Sequence, residues 1–241
     1  MDTRFQINVI SAITKPQTTV WMAMHQDYSH KLVTMHWEEV PIESMAGEFI
    51  VKHLLKGDRG HYGPFEHPQI TINVGYFNHA TMQQLRTHRV GVSFDVQSFR
   101  YTSQGLLDVV ANDADIEDYI YFRPVASYTD RKGNRYDYTH GMREEDKSYA
   151  YSLLKLYYRK INMGMSEEHC RAMLPFDYRQ HWVMSLNARS LMHFLDLRAK
   201  KDAELECQWF CELLFQKFQM WMPHVAEWYK ETRWGKARLA P

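Results

Sequence analysis

The sequence predicts an α+β fold, a mixed β-sheet flanked by helices, on three observations. Alternating apolar stretches and stretches of helical period follow one another without the regular strand and helix alternation that builds a doubly wound sheet. Hydrophobic residues make up 45% and charged residues 24% of the 241, the composition of a folded globular chain. No repeat, low-complexity tract or linker interrupts it, so residues 1–241 are expected to form a single domain with an irregular excursion near 112–141.

Residues 5–13 alternate as a short strand, and helices are expected over 18–29 and 44–56, the second closed by Gly57. The breaker-rich run GDRGHYGPFEHPQ makes a loop, after which ITINVGYF alternates as a strand. Asn78 is placed to cap a helix over NHATMQQLRTHR, followed by a glycine-containing loop and a short extended piece, SFRYT. Residues 112–141 set acidic NDADIED and turn-rich TDRKGNRYDYTHG around a strand-like YIYFRP and are expected to be exposed. A helix then runs over 143–163 to Gly164, Ser166 opens a short helix to Leu174, and Pro175 stops it. FDYRQHWVMSLN alternates as a strand and NARSLMHFLDLRA is an amphipathic helix. Asp202 can cap a last long helix that Pro223 interrupts.

Charge and cysteine usage exclude several classes. Lys+Arg and Asp+Glu balance at 29 each, so no global field recruits nucleic acid or an anionic membrane, and neither is expected as a partner. Cys170, Cys207 and Cys211 follow no extracellular framework spacing, and no apolar run approaches a membrane span, so a reducing, cytoplasmic setting is expected. Aromatic residues at 14% suit subunit contacts or flat ring ligands, or simply an aromatic-rich core.

Four clusters carry candidate chemistry. In the first, His61-Tyr-Gly63-Pro-Phe-Glu66-His67, two histidines and a carboxylate sit on a loop that feeds a strand. With His88 they could form a metal site, although the histidine spacing matches no standard zinc pattern, so no metal is expected. The second, Gln84-Leu-Arg86-Thr87-His88-Arg89 followed by Ser98-Phe99-Arg100-Tyr101-Thr102-Ser103, offers forked guanidinium donors and hydroxyls for phosphate oxygens. A solvated basic helix end explains Arg86 to Arg89 equally, but not Ser98 to Ser103. The third puts Arg171 near a helix end at Pro175, which alone reads as structural. In the fourth, Arg189 and His193 are four apart and Asn187 and Arg198 about three turns apart, so each pair can share a stripe of a helix, facing either a site or water. No G-x-G-x-x-G, Walker loop, C-x-x-C pair or G-x-S-x-G elbow is present.

In this order and spacing, over residues 61–208, the clusters resemble the flavin-dependent thymidylate synthase family. RAMLPFDYRQHWVMSLNARSLMHFLDLRA is similar to that family's R-x-x-L-P and N-x-R segments running into its L-R-A arginine, and HYGPFEH to its histidine loop. THRVGVSFDVQSFRYT departs from the usual R-H-R signature: Thr87 replaces the first arginine, and the spacer to Ser98 is one residue longer. Val96 stands where an acid is usual, with Asp95 beside it, and Arg86 could supply the missing positive charge.

The resemblance implies that family's fold in a homotetramer with shared active sites, and reductive methylation of dUMP to dTMP. It implies 5,10-methylenetetrahydrofolate as carbon donor and FAD, reduced by NAD(P)H, as hydride donor. By position, Thr87, His88, Arg89, Asn187, Arg189 and His193 would hold FAD, with Gly63 and Glu66 nearby and His61 beside the flavin and folate rings. Gln84, Ser98, Phe99, Arg100, Arg171 and Arg198 would hold dUMP, with Arg198 the catalytic group. Two other classes stay open: a nucleotide or RNA-binding module without catalysis, and a metal hydrolase built on His61, Glu66, His67 and His88.

Overall fold

The structure is a computed structural model that describes residues 1–130 and 132–236. It is mixed α and β throughout. The elements run β1 (Gln6–Ala12), α1 (Pro16–Gln26), α2 (Glu43–Ile50), β2 (Gln69–Asn78), α3 (His79–Leu85), β3 (Val92–Val96), α4 (Phe99–Thr102) and α5 (Gln104–Ala111). They continue with β4 (Ala126–Thr129), β5 (Arg135–Tyr138), α6 (His140–Asn162), α7 (Glu167–Cys170), β6 (Arg179–Asn187), α8 (Ala188–Arg198), α9 (Leu205–Trp221) and α10 (Pro223–Thr232). One sheet has the strand order β1-β2-β6-β3, and β4 pairs with β5 as an antiparallel hairpin.

The chain divides into two compact units, each built from separated stretches. The first holds Met1–Gln6, Val74–Gln84 and Asp95–Trp182; the second holds Ile7–Asn73, Leu85–Phe94 and the chain from Val183 onward.

In the first unit Phe99, Leu106, Val109, Ile120, Phe122, Ala150 and Leu154 form an apolar cluster. The long α6 is tied down beside it by charge. Arg143 donates to both oxygens of Glu117 at 2.9 and 2.7 Å, and Lys147 Nζ lies 2.6 Å from the same carboxylate. The Arg143 hydrogen bonds, aided by Lys147, hold the Glu117 carboxyl down at about 2 against the upward push of burial. A carboxylate held below its ordinary 4.5 contributes stability that is complete above that value and is lost as pH falls toward 2. Thermal melts from pH 6 to 2 are therefore expected to show a drop that Glu117→Gln flattens; parallel curves for the two proteins would contradict it.

In the second unit α1 and α2 pack together, and the side chain that caps α1 comes from α2. The carboxylate of Glu43 accepts from Gln17 N at 2.7 Å, Thr18 N at 2.9 Å and Thr18 Oγ1 at 2.8 Å, satisfying the open helix end that Lys15 leaves uncapped. The core is aromatic, with Phe194, Phe210, Phe218 and Tyr229 inaccessible. Among them Asp196 of α8 accepts from Tyr229 Oη at 2.9 Å and from Arg233 at 2.6 Å.

Several expectations are corrected. SFRYT is not extended: the strand is Val92–Val96, and Phe99–Thr102 is a helical turn leading into α5, because Phe99 is drawn into the apolar cluster. YIYFRP makes only an isolated bridge, Ile120 to Tyr178, and Ile120, Tyr121 and Phe122 are buried rather than exposed. The extended pairs of this region are β4 and β5, which turn at Gly133 with φ +87°. Helix α3 stops at Leu85, so Arg86 to Arg89 lie in the turn beyond it. Asp202 does not cap the last long helix, which starts after Glu204. Among the described residues no helix is long and apolar enough to cross a membrane.

Candidate functional site

The second unit carries an open cavity of about 590 Å³ over one face of α8. It lies within the range of about 300–1,000 Å³ typical of small-molecule sites. Helix α8 reaches it because the sequence is two-faced. Leu191, Met192, Phe194, Leu195 and Asp196 are buried, while Arg189, His193 and Arg198 line the cavity. Asn187, also in the lining, fixes the start of the helix by accepting from Ser190 N at 2.7 Å.

Thr87, His88 and Arg89 enter from the turn after α3, and Glu66 from the 3₁₀ turn Gly63–Glu66 before β2. The turn is locked onto α8. Ser190 Oγ donates to Val90 O at 2.9 Å, and Gly91 has φ +65°. A Cβ at Gly91 would stand 2.1 Å from Ser190 Oγ and 2.6 Å from Asn187 Nδ2, so only glycine allows this approach.

Arg198 is the most constrained cation in the cavity. Its Nε donates to His88 Nε2 at 2.9 Å and its Nη2 to Thr87 Oγ1 at 2.9 Å. The first bond requires His88 to be neutral with its proton on Nδ1. Burial, then the charges of Arg198 and His193, pull His88 down to about 4. Because that is below the ordinary 6.5, the neutral form stabilises the fold above pH 6.5, and this contribution is lost as pH falls toward 4. An NMR titration of the His88 ring is expected to give a midpoint near 4; a midpoint near 6.5 would mean that Arg198 is not held this way.

Arg189 pairs with the Glu66 carboxylate yet stays 39% exposed, and Arg89 is exposed, so both forks remain open to a ligand. Val90, Gly91, Val92, Ser190 and Leu197 also line the cavity and were not among the residues expected from sequence. Gly91 was the available signal, since it sits in the lengthened spacer.

His61 and Gly63 lie in the same unit but outside the cavity lining. His61 is exposed, with Nε2 3.8 Å from Asp27. Arg86 is exposed and also outside the lining. Among the described residues no three His, Cys, Asp or Glu side chains gather as a metal site, so the set His61, Glu66, His67 and His88 is not assembled.

The residues expected to hold dUMP divide between the units: Gln84, Ser98, Phe99, Arg100 and Arg171 in the first, Arg198 in the second. Gln84 is near the end of α3, and Ser98 is the extended residue before α4. Arg100 pairs with Glu168 at 3.0 Å. Phe99 is buried edge-on to Tyr178 at 4.3 Å, and burial lifts that phenol to about 12 despite the opposing charge of Arg171. A thiolate nucleophile has no support: all three cysteines are buried, and burial raises Cys207 to about 12 and Cys211 well above its ordinary value.

Residues 8–224 match the family model described as thymidylate synthase complementing protein. A flavin-dependent thymidylate synthase of Haloarcula marismortui is 33% identical over 251 residues, covering 98% of this chain and 99% of that protein. Among solved structures, the UMP/dUMP methylase PolB from Streptomyces cacaoi bound with 5-Br dUMP superposes with a TM-score of 0.77 at 21% identity, covering 100% of this chain and 99% of that one. Thymidylate synthase X from Helicobacter pylori with FAD and dUMP gives 0.66 at 18% identity, covering 88% and 92%. At these identities the two structures speak to the fold.

Proposed function

Because the chain belongs to the family of thymidylate synthase complementing proteins, we infer that it is a flavin-dependent thymidylate synthase, reductively methylating dUMP to dTMP. The carbon donor is 5,10-methylenetetrahydrofolate, and the hydride comes from FAD that NAD(P)H has reduced. The observation that carries this reading is the α8 cavity, where Arg89, Arg189, His193 and Arg198 converge from separate stretches of chain.

The donor set suits FAD. Two guanidinium forks, Arg89 and Arg189, match diphosphate oxygens, while Val90, Val92 and Leu197 offer apolar surface to a flat ring. In this proposal Thr87, His88, Arg89, Asn187, Arg189 and His193 hold FAD, with His61, Gly63 and Glu66 on the neighbouring turn. FAD, when bound, supplies hydride transfer that no side chain performs. Gln84, Ser98, Phe99, Arg100, Arg171 and Arg198 hold dUMP, with Ser98 as a phosphate ligand rather than a nucleophile, since a serine hydroxyl is weakly nucleophilic unaided.

Arg198 is the proposed catalytic group. Neutral His88 and Thr87 fix one edge of the guanidinium without adding charge. A guanidinium held in this way is placed to stabilise negative charge on the uracil ring as the ring ionises at N3 or accepts hydride. Assembly as a homotetramer, with active sites completed by neighbouring subunits, is supported by the exposed apolar side chains of Leu32, Met35, Trp37, Ile42 and Met45. A cytoplasmic setting is proposed with it.

The test is product analysis with purified protein, dUMP, methylenetetrahydrofolate, FAD and NADPH. Formation of dTMP that needs every component is expected, and its absence from protein that binds both FAD and dUMP would oppose the reading.

A further inference from the structure

In the first unit, several costly local arrangements meet at a second cavity, of about 420 Å³. Tyr76 in β2 has φ +69°, a left-handed conformation that a bulky side chain rarely adopts and that persists only where its surroundings impose it. Both of its backbone polar groups are taken by side chains of β6. Its carbonyl accepts from Arg179 Nη1 at 2.6 Å, and its N–H donates to His181 Nδ1 at 3.4 Å. Arg179, 2% exposed, also donates to Glu117 O at 2.6 Å and to Asp2 Oδ2 at 2.5 Å, so its guanidinium is committed to the frame.

Two walls of the cavity rest on glycines. A Cβ at Gly105 would stand 2.1 Å from Tyr119 Cε1, and one at Gly75 would stand 3.2 Å from His181 Nδ1. Strain at Tyr76 and missing side chains at Gly75 and Gly105 weaken the fold, yet all three shape the same space. The result is a lining in which Tyr76, Tyr119, Phe99 and His181 present aromatic surface.

The charge in this lining is already matched. Arg4 bonds Asp118 and Asp115 at 2.9 Å each, and Arg179 bonds Asp2, so the cavity offers no excess charge to a phosphate or a metal ion. His181 accepts at Nδ1 and so carries its proton on Nε2, a neutral donor; burial and the charge of Arg179 hold it below its ordinary value. The phenols of Tyr76 and Tyr119 donate or accept as a ligand requires.

We propose that this cavity binds an uncharged, flat lactam ring, a pyrimidinedione or a pterin, against the aromatic walls of Tyr76 and Tyr119, with His181 Nε2 donating to a ring carbonyl and the Tyr119 hydroxyl hydrogen-bonding the same lactam edge. Its lining shares no residue with that of the α8 cavity. It differs also from the proposed dUMP site in using the Phe99 ring without Ser98, Arg100 or Arg171.

The experiment is calorimetric titration of the FAD-loaded protein with thymidine and, separately, with pterin, each at saturating dUMP so that the substrate site is filled. At least one ring is expected to bind; thymidine alone identifies a pyrimidinedione, pterin alone a pterin, and both the shared lactam edge. Tyr76→Gly should weaken that binding by about tenfold while the melting temperature does not fall, because glycine relieves the strain. Tyr119→Phe, which keeps the packing, should weaken it by about threefold to tenfold. Binding of neither ring, or unchanged affinity in Tyr119→Phe, would overturn the proposal, the latter even if Tyr76→Gly fails to fold. The affinity for dUMP, measured in the same series, reports on the substrate reading independently.

Discussion

Replacing Arg198 with alanine is expected to lower turnover by roughly a hundredfold to a thousandfold, the usual loss when one well-aimed electrostatic donor is removed from developing charge. The side chain is held at two points, by His88 and Thr87, so little reorganisation is needed when charge appears on the substrate. Arg198→Lys is expected to recover little, since an ammonium cannot bond His88 and Thr87 while presenting a planar fork. Single-turnover rates at saturating dUMP and flavin check this. A variant that keeps more than about a tenth of the wild-type rate would remove Arg198 from the catalytic role.

The second large effect is on stability. Asp196 has a side chain only 1% exposed and bonds both Tyr229 and Arg233, so Asp196→Ala leaves a buried guanidinium without its carboxylate. Breaking such a pair costs about 3–5 kcal/mol. In a chain of this size that corresponds to a melting temperature lower by roughly 10 °C. Asp196 is buried on α8, three residues on from His193 and seven from Arg189, so the same variant should bind flavin more weakly. Calorimetry with and without FAD measures both. An unchanged melting temperature would show that α10 does not brace α8 through this pair.

What the sequence disclosed depended on how local the physics was. The amphipathic pattern of α8 was legible because it is set by spacing within one helix, whereas the Asn187 cap became visible only in the fold. The strands β2 and β6 were legible from alternation. SFRYT was misread because its aromatic and β-branched residues favour a strand locally, whereas Phe99 is buried by residues far along the chain. YIYFRP failed for the same reason, since Ile120 and Phe122 fill a core instead of joining a sheet.

For the site, the residues of the turn after α3 could be named only through the family resemblance. Their docking depends on Gly91 lying against Ser190, a contact between segments distant in sequence. Arg179 looked like an ordinary strand residue, and nothing near it foretold a bond to Asp2, 177 positions away. The cavity around Tyr76 was invisible for that reason.

The most direct measurement is FAD affinity, by quenching of flavin fluorescence, for the wild-type protein and for Arg189→Ala. With the Arg189 fork facing the α8 cavity, the wild-type protein should bind FAD and the variant should bind it at least about tenfold more weakly, the loss of one charge-assisted hydrogen bond. Equal affinity in the two proteins, or no flavin binding by the wild type, would mean that the cavity over α8 is not where FAD is held.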